Sequence, residues 1–568
     1  MAEAEPGRLS ARDTAVVDPL SRRVDHGAVP SRPRDPLNSR LFGRRAFLRG
    51  ALAATLAGPS LTGCATPARP EVAGRDPFSL GVASGEPAPD GFVLWTRLAP
   101  VPLWSDPAAP GGLVGGDVTL TYEIAADPGM RTIVQSGPAV AEAAYAYSVH
   151  LEVKGLAAER PYWYRFTHGD AQSRIGRAWT GPEPRTPLRR LRFAFVSCAN
   201  YEHGFFSAYR HLADEQPDLV LFLGDYIYEY VDRVRPTVRR HSDNAEAATL
   251  PTYRNRYAQY RMDPDLQRLH AEVPALATWD DHEVQNDYAS EWSATFDDPE
   301  SFRARRAAAY QAFYEHMPLW PSRSRPEGAA LRLYDRFRFG DLVEFSTLDG
   351  RQYRSREACT RAPDYGGGHF ETDAWCPERR DPDRSLLGAA QEAWLFEGLA
   401  RASARWNVLA QDVLMAQLRQ RVPLAGILGF WTDAWDGYPV SRSRLLRQIE
   451  ASRVPNPVVI GGDLHSFWVN DLKRDFDDPG TPTVATEFIG TSVSSIGPSY
   501  SQFSAWLPDN PHVRFFESRQ RGYVSVELTA ERLTAHLRTV SDVRGPGATL
   551  STLRSFVVES GRPGAVPA

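Results

Sequence analysis

Cysteine is scarce in this chain, 4 residues in 568, so each one has to be accounted for singly. A large excess of charge of either sign is missing too, the formal net charge being −5. That removes any bulk electrostatic reason for binding nucleic acid, sequence-specifically or otherwise, or an anionic membrane. A phosphate-bearing substrate would have to be caught locally. No internal repeat is visible, and nothing past the N-terminal region marks a transmembrane helix. The weakly apolar stretch 51–62 falls short of the roughly 20 residues such a helix needs. What is there is 42% hydrophobic, 24% charged and 11% aromatic residues, a globular composition able to bury a large core. Disorder, coiled coil and collagen are excluded for the chain as a whole.

Residues 1–68 read as an export region, rich in Arg, Pro and Ala and without strand or helix periodicity until LFGRRAFLRG at 41–50. There Arg44 and Arg45 precede Phe47, Leu48 and the short apolar stretch, the order of a twin-arginine signal rather than of an anchor. An amphipathic surface helix with a chance arginine pair is the bland alternative. Leu61-Thr62-Gly63-Cys64 resembles a lipoprotein cleavage box, which would anchor the mature chain by a lipid on Cys64. Ordinary cleavage a few residues later would leave a soluble periplasmic or secreted protein. Either way the twin-arginine export machinery is an expected partner.

Outside the cytoplasm thiols normally pair. Cys359 and Cys376 bracket REACTRAPDYGGGHFETDAWC, a segment with little apolar content that would gain from a staple, and they are expected to pair. Cys198 is left over, either buried and inert or engaged by a metal.

Its surroundings bear on that choice. In RRLRFAFVSCANYEHGFFSAYRHLADEQPDLVLFLGDYIYEY, residues 193–196 form a strand-like apolar run and 205–215 have helical spacing. A second strand follows at 219–223, giving a βαβ unit. Functional groups in parallel sheets collect at the carboxyl ends of strands, where Cys198 and Asp225 stand. Three more apolar runs end alike: VPALATWDDHEVQND offers Asp280, Asp281, His282 and Asn286; LVEFSTLDGRQYRS offers Asp349, Arg351 and Arg354; PVVIGGDLHSFW offers Asp463 and His465. Singly, a Gly-Asp is often a tight turn and Tyr226, Tyr228 and Tyr230 are packing aromatics. Together, five such ends place mutually repulsive acids around one point, for which a cation is the usual physical solution.

Upstream, residues 75–185 carry short alternating strands with Gly, Pro and Asp punctuation, as in DVTLTYEIAADPG and YAYSVHLEVKGL. They are expected to form an antiparallel β-sandwich resembling fibronectin type III, without catalytic residues. Residues 296–330 read as helix and 522–540 as two antiparallel strands at the far edge of the metal-site sheet. The catalytic domain is placed at 189–545, and the Gly/Pro-rich residues 546–568 are expected to be a loose tail.

SCANYEHG, LFLGDYIYEY, TWDDHEVQND, LDGRQYRS, VLAQDVLMA, DAWDGYP and GGDLHSFW, with the twin-arginine signal, carry a resemblance to the PhoD-like alkaline phosphatase and phosphodiesterase family of the calcineurin-like metallophosphoesterases. The resemblance implies an α/β metallophosphoesterase core, a β-sheet sandwich flanked by helices. It implies Fe(3+) held by Cys198, Asp225, Tyr228 and His465. It places Ca(2+) beside it, bridged by Asp225 and bound by Asp281 and Asp463, with Asp280 and Asn286 as weaker candidates. Hard oxygen donors suit calcium, and thiolate and phenolate suit a trivalent iron. Phosphate-ester hydrolysis by metal-activated hydroxide follows, with His282 stabilising the transition state or protonating the leaving oxygen, or else merely orienting Asp281. Arg351 is the expected phosphate clamp, backed by Arg354, although Gly350 stands where the family usually has Thr. A phospholipase D-like diesterase on the same site and a non-enzymatic surface protein stabilised by calcium are the competing readings.

Overall fold

The computed structural model describes residues 75–104, 106–362, 365–422 and 426–568. The twin-arginine segment and Cys64 lie outside the described residues.

Two sheets share one apolar core. The ten-stranded sheet runs Arg562–Pro567, Leu550–Glu559, Arg532–Val540, Arg521–Thr529, Arg190–Val196, Leu219–Leu223, Ala275–Thr278, Val82–Ala88, Gly91–Arg97, Ser148–Val153. The seven-stranded sheet runs Asp335–Phe339, Val343–Thr347, Trp406–Ala410, Pro457–Gly461, Thr483–Ile489, Phe467–Lys473, Val513–Glu517. The centre of each sheet is parallel.

Strand alternation explains why the central strands read as unbroken apolar runs. Phe193 and Phe195 face the core between the sheets, packing with Phe345, Val458 and Ile460. Ala194 and Val196 face the opposite way, against Tyr209, Leu212, Tyr257 and Leu269. Both faces are covered, so both registers must be apolar. On the far side of the seven-stranded sheet, Leu409, Val459 and Ile489 pack on Leu395, Leu399, Leu445 and Leu446 of the helices Gly388–Ala400 and Pro439–Ala451. The order is helix, sheet, sheet, helix.

The βαβ reading of 189–230 holds, with Ser207–Glu215 crossing between parallel strands and ending where Gln216 turns left-handed at φ +48°. The next crossover helix, Pro264–Glu272, starts as its sequence dictates. Pro264 opens it, and the Asp263 carboxylate accepts from the Asp265 and Leu266 amides. The helix expected within 296–330 is Pro299–His316, followed by the single turn Pro321–Ser324.

Residues 75–185 form two layers around Phe92, Leu94, Leu120, Ile124, Tyr164 and Phe166. One layer is a separate five-stranded sheet of Val118–Ala125, Ile133–Ala141, Arg160–His168, Ala171–Gln172 and Gly176–Thr180. The other is the end of the ten-stranded sheet, joined where Val82–Ala88 lies parallel to Ala275–Thr278 at Gly85 and Ala275.

The pair at 522–540 is antiparallel as expected and borders Arg190–Val196, but it is not the far edge of the sheet, because two further strands lie beyond it. The loose tail is corrected. Residues 546–568 hold two strands, Leu550–Glu559 and the edge strand Arg562–Pro567, which prolong the ten-stranded sheet and bring Phe556 and Val558 into the shared core. The Gly/Pro content belongs to the hairpin turn and the outer edge, where proline costs no ladder bond.

Candidate metal centre

The parallel strands of both sheets deliver their carboxyl ends to one place. Cys198 follows Val196, Asp225 follows Leu223, Asp281 follows Thr278, and Asp463 and His465 follow Gly461. The turns that take them there are strained. Cys198, Asp225, Asp287, Asp463 and His465 have φ of +60°, +52°, +55°, +65° and +51°. Left-handed non-glycine residues cost free energy and gather where function over-determines the backbone. Between them Gly224, at φ +92°, lies so close to the Asp280 loop that a Cβ would come within 2.4 Å of that residue's Cβ. The buried Glu283 knits the loops together, accepting from the amides of Asp225 at 3.2 Å, Tyr226 at 2.6 Å and Asp280 at 2.9 Å.

Three groups of donor atoms result, each within 4.8 Å of one another: Cys198, Asp225 and His465; Asp225, Asp281 and His282; Asp281, Asp287 and Asp433. Asp225 joins the first two and Asp281 the last two. Tyr228 completes the first, its hydroxyl 2.8 Å from Asp225 Oδ2 and 3.0 Å from His465 Nε2. His465 Nδ1 donates to the Ile496 carbonyl at 2.9 Å, which leaves Nε2 as the acceptor aimed at the group. Burial, with Arg521 adding, depresses this imidazole to about 3, so it is neutral.

The acids cannot all be ionised as they stand. Burial pushes the Cys198 thiol and the Tyr228 phenol well up, Asp225 adding to both. Burial likewise raises Asp225, Asp280 and Asp287, and with Asp433 takes Asp463 to about 7. Asp281 is the exception, since Arg351 and His282 outweigh its burial and hold it low. His282 runs the other way. Burial alone would depress it, but Asp281, Glu229 and Asp225 hold the imidazolium. Its Nδ1 donates to Glu229 Oε2 at 2.7 Å. Among the described residues, Asp225 Oδ1 meets no hydrogen-bond donor. An orphaned buried carboxylate oxygen inside a ring of acids, thiol, phenol and imidazole is the signature of a cation site.

Of the expected ligands, Cys198, Asp225, Tyr228, Asp281 and His465 come together. Asp463 stands half-buried at the same edge, outside the three groups. Its charge is nonetheless felt by Cys198 and Asp225. Asp280 ion-pairs with Arg351 through Oδ1 and joins none of the three groups, although its buried Oδ2 meets no donor either. The Asn286 side-chain amide donates to the Tyr365 hydroxyl at 2.8 Å.

Arg351 does not fit a phosphate clamp. Its side chain is fully buried and bidentate to Asp433 at 2.5 and 2.8 Å, with Nε on Asp280 at 2.5 Å and Nη2 3.8 Å from Asp281. Every face of the fork is taken by this chain's own acids. Arg354 backs it, donating to Asp433 Oδ1 at 2.9 Å. Gly350 also finds its reason here, since a Cβ at this position would lie 2.4 Å from both Asp412 carboxylate oxygens. A threonine would collide.

Sequence reading missed Asp287 and Asp433. Both stand inside quoted motifs, as the last Asp of TWDDHEVQND and the first of DAWDGYP, so the signal was present. The expected disulfide supports them. Cys359 and Cys376 are bonded, and within the stapled segment the Gly368 amide donates to Asp287 Oδ2 at 3.1 Å. Phe370–Glu371 pairs with Leu428–Trp431, just before Asp433. Cys198 is buried and unpaired.

The family described as PhoD-like phosphatase matches residues 193–537, and its N-terminal domain matches residues 63–182. Alkaline phosphatase D of Bacillus subtilis (strain 168) is 42% identical over 537 residues, covering 92% of this chain and 88% of that protein. The solved structure titled "Structure of PhoD" superposes with a TM-score of 0.81 at 41% identity, covering 87% of this chain and 92% of that one. This protein is thus homologous to a phosphoric ester hydrolase over nearly its whole length. The chain belongs to the PhoD-like phosphatase family.

Proposed function

We propose that this chain hydrolyses phosphate esters, diesters ahead of monoesters, at a mixed iron and calcium centre. The observation that carries the reading is the first donor group: a buried thiol, phenol, imidazole and carboxylate converge around an oxygen that meets no donor. Cys198, Asp225, Tyr228 and His465 would hold a trivalent iron, for which two soft or phenolic anions are suited donors. The oxygen-only third group, Asp281, Asp287 and Asp433, has the hard, irregular donor set of calcium, with Asp225 and Asp463 as further oxygen donors. When bound, these cations supply Lewis acidity and charge neutralisation at phosphorus.

The chain's own residues do the rest. His282 holds a proton at the mouth of the second group. Glu229 occupies Nδ1 and fixes the ring, which leaves Nε2 to donate to the leaving oxygen. Tyr228 packs on the His282 ring at a centroid distance of 4.1 Å, so the proton donor and the iron-side tyrosine are placed by one contact. Arg351 acts from behind, holding Asp281 and Asp433 in place.

Two coarser features belong to the same reading. The paired sheets constitute a calcineurin-like metallophosphoesterase core preceded by a fibronectin III-like layer. The N-terminal arginine pair directs export through the twin-arginine pathway to the periplasm or beyond.

The test is hydrolysis of a chromogenic phosphodiester beside the matching monoester, in calcium at alkaline pH, with metal analysis of the same sample. Faster diester cleavage by coloured, iron-containing protein is expected. Folded, metal-replete protein that cleaves neither ester would overturn the proposal.

A further inference from the structure

The seven-stranded sheet sends one more carboxyl end to the site, and the sequence gives it no acid, histidine or cysteine. After Thr483–Ile489 the chain runs Gly490-Thr491-Ser492-Val493-Ser494-Ser495-Ile496 across the back of the first donor group. Its amides and hydroxyls hold the turn that carries Cys198. The Val493 amide donates to the Ser197 carbonyl at 3.0 Å, and the Ser495 amide to the Cys198 carbonyl at 3.2 Å. The Ser494 hydroxyl reaches the Asn200 carbonyl at 2.7 Å. Ile496 offers the carbonyl that orients His465. One short strap thus touches the supports of two expected ligands.

The strap is itself clamped at both ends. Arg521 donates from Nη1 to the Ser492 hydroxyl at 2.8 Å and the Ser495 carbonyl at 2.5 Å, and from Nη2 to the Ser518 carbonyl. At the other end the Ile496 amide donates to His203 Nδ1 at 3.3 Å, and His203 Nε2 donates to Asp232 Oδ2 at 2.9 Å. A strap fixed this way has little freedom to follow its neighbours, so it can impose a position on them.

Ser495 is where it touches a ligand directly. Its fully buried hydroxyl lies 2.8 Å from the Tyr228 oxygen and 2.8 Å from the Cys198 carbonyl, while the Asn200 amide donates to it at 3.3 Å. One hydroxyl proton faces two acceptors. With Tyr228 bound as a phenolate, the charged oxygen is the stronger acceptor and takes it.

We propose that Ser495 is a positioning residue for the iron centre, donating a hydrogen bond to the Tyr228 phenolate and so setting that ligand's geometry and donor strength. The inference rests on Tyr228 being an iron ligand, as argued above. A donor on the phenolate draws electron density away from the metal and lowers the energy of the phenolate orbitals. Charge transfer from tyrosine to iron then needs more energy.

The measurement is the visible charge-transfer band of the full-length, iron-loaded protein, read with iron content. Ser495→Ala should retain iron and move the band to longer wavelength, and Ser495→Thr, which keeps the hydroxyl, should return it towards the wild-type position. If the alanine variant does not accumulate folded, Ser495→Thr against Ser495→Val poses the same question at constant shape. A band at one wavelength with and without the hydroxyl overturns the inference while leaving the iron assignment standing. A wild-type protein without iron and without a band fails earlier, at the assignment of Tyr228.

Discussion

Two parts of this molecule treat buried polar groups in opposite ways. In residues 75–182 several such groups end on backbone. The Thr96 hydroxyl donates to the Gly81 carbonyl at 2.9 Å, the Thr180 hydroxyl to the Ala157 carbonyl at 2.8 Å, and Arg97 Nε to the Ala146 carbonyl at 2.8 Å. At the strand ends of the core, acid faces acid on left-handed backbone, and a carboxylate oxygen goes unmet. The groups just named in the first region need nothing beyond the folded polypeptide. The second gives up stability for an arrangement that a bound cation would make favourable, in keeping with the proposed function.

The sharpest way to break that contrast is Asp225→Asn, which removes the charge shared by the first two donor groups while keeping the shape. Loss of a partner that only orients a metal ligand already costs about 10–100-fold, so loss of a shared ligand should lower turnover by more than about 100-fold and reduce bound iron. The metal-free protein should meanwhile melt no lower than the metal-free wild type, because one uncompensated buried acid has gone. An active variant, or one markedly less stable without metal, would mean that Asp225 serves the scaffold instead.

Arg351→Met separates support from chemistry. It strips the counter-charge from Asp280 and Asp433, and breaking one side of a buried ion pair costs about 3–5 kcal/mol. The melting temperature should fall, and fall further in chelator than in calcium. A variant that melts like the wild type yet loses turnover would restore the phosphate clamp.

How far the sequence foretold this depends on how local each determinant is. Cys198, Asp225, Asp281 and His465 stand directly after apolar runs, and a parallel sheet must bring such ends together, so they were legible. The role of Arg351 was not. Its partner Asp433 lies 82 residues away in chain order, behind a three-stranded sheet and a disulfide-stapled segment that no periodicity announces. The joining of residues 75–185 to the core sheet hangs on one parallel register, Gly85 to Ala275, between strands that read as ordinary by themselves. The strap at 491–496 was invisible because its residues act through backbone and hydroxyl groups. The tail misled through composition, since the glycines and prolines flanking Leu550–Glu559 suggest looseness.

The N-terminal region has an exception that sharpens the comparison with the smallest effect. Glu86, at φ +48°, is buried. Its Oε2 accepts from the Trp320 amide at 2.8 Å, and its carbonyl accepts from the Trp320 indole at 3.0 Å. Burial, only partly offset by that amide, raises its carboxyl from 4.5 to about 8. The folded protein therefore keeps a proton here that the unfolded chain releases above about pH 4.5. Stability should fall as pH rises from there and level off past pH 8, by at most about 5 kcal/mol at 1.36 kcal/mol per pH unit, and by roughly 1–2 kcal/mol once the surroundings relax. Glu86→Gln is neutral throughout and keeps the acceptor for Trp320, so its melting temperature relative to the wild type should climb between pH 5 and pH 8 with turnover unchanged. Parallel profiles would show that Glu86 ionises freely, and that the N-terminal layer admits water where the packing closes it off. A climbing difference would show a single misplaced acid costing stability with no cation to repay it, which is the strand-end arrangement in miniature and without its use.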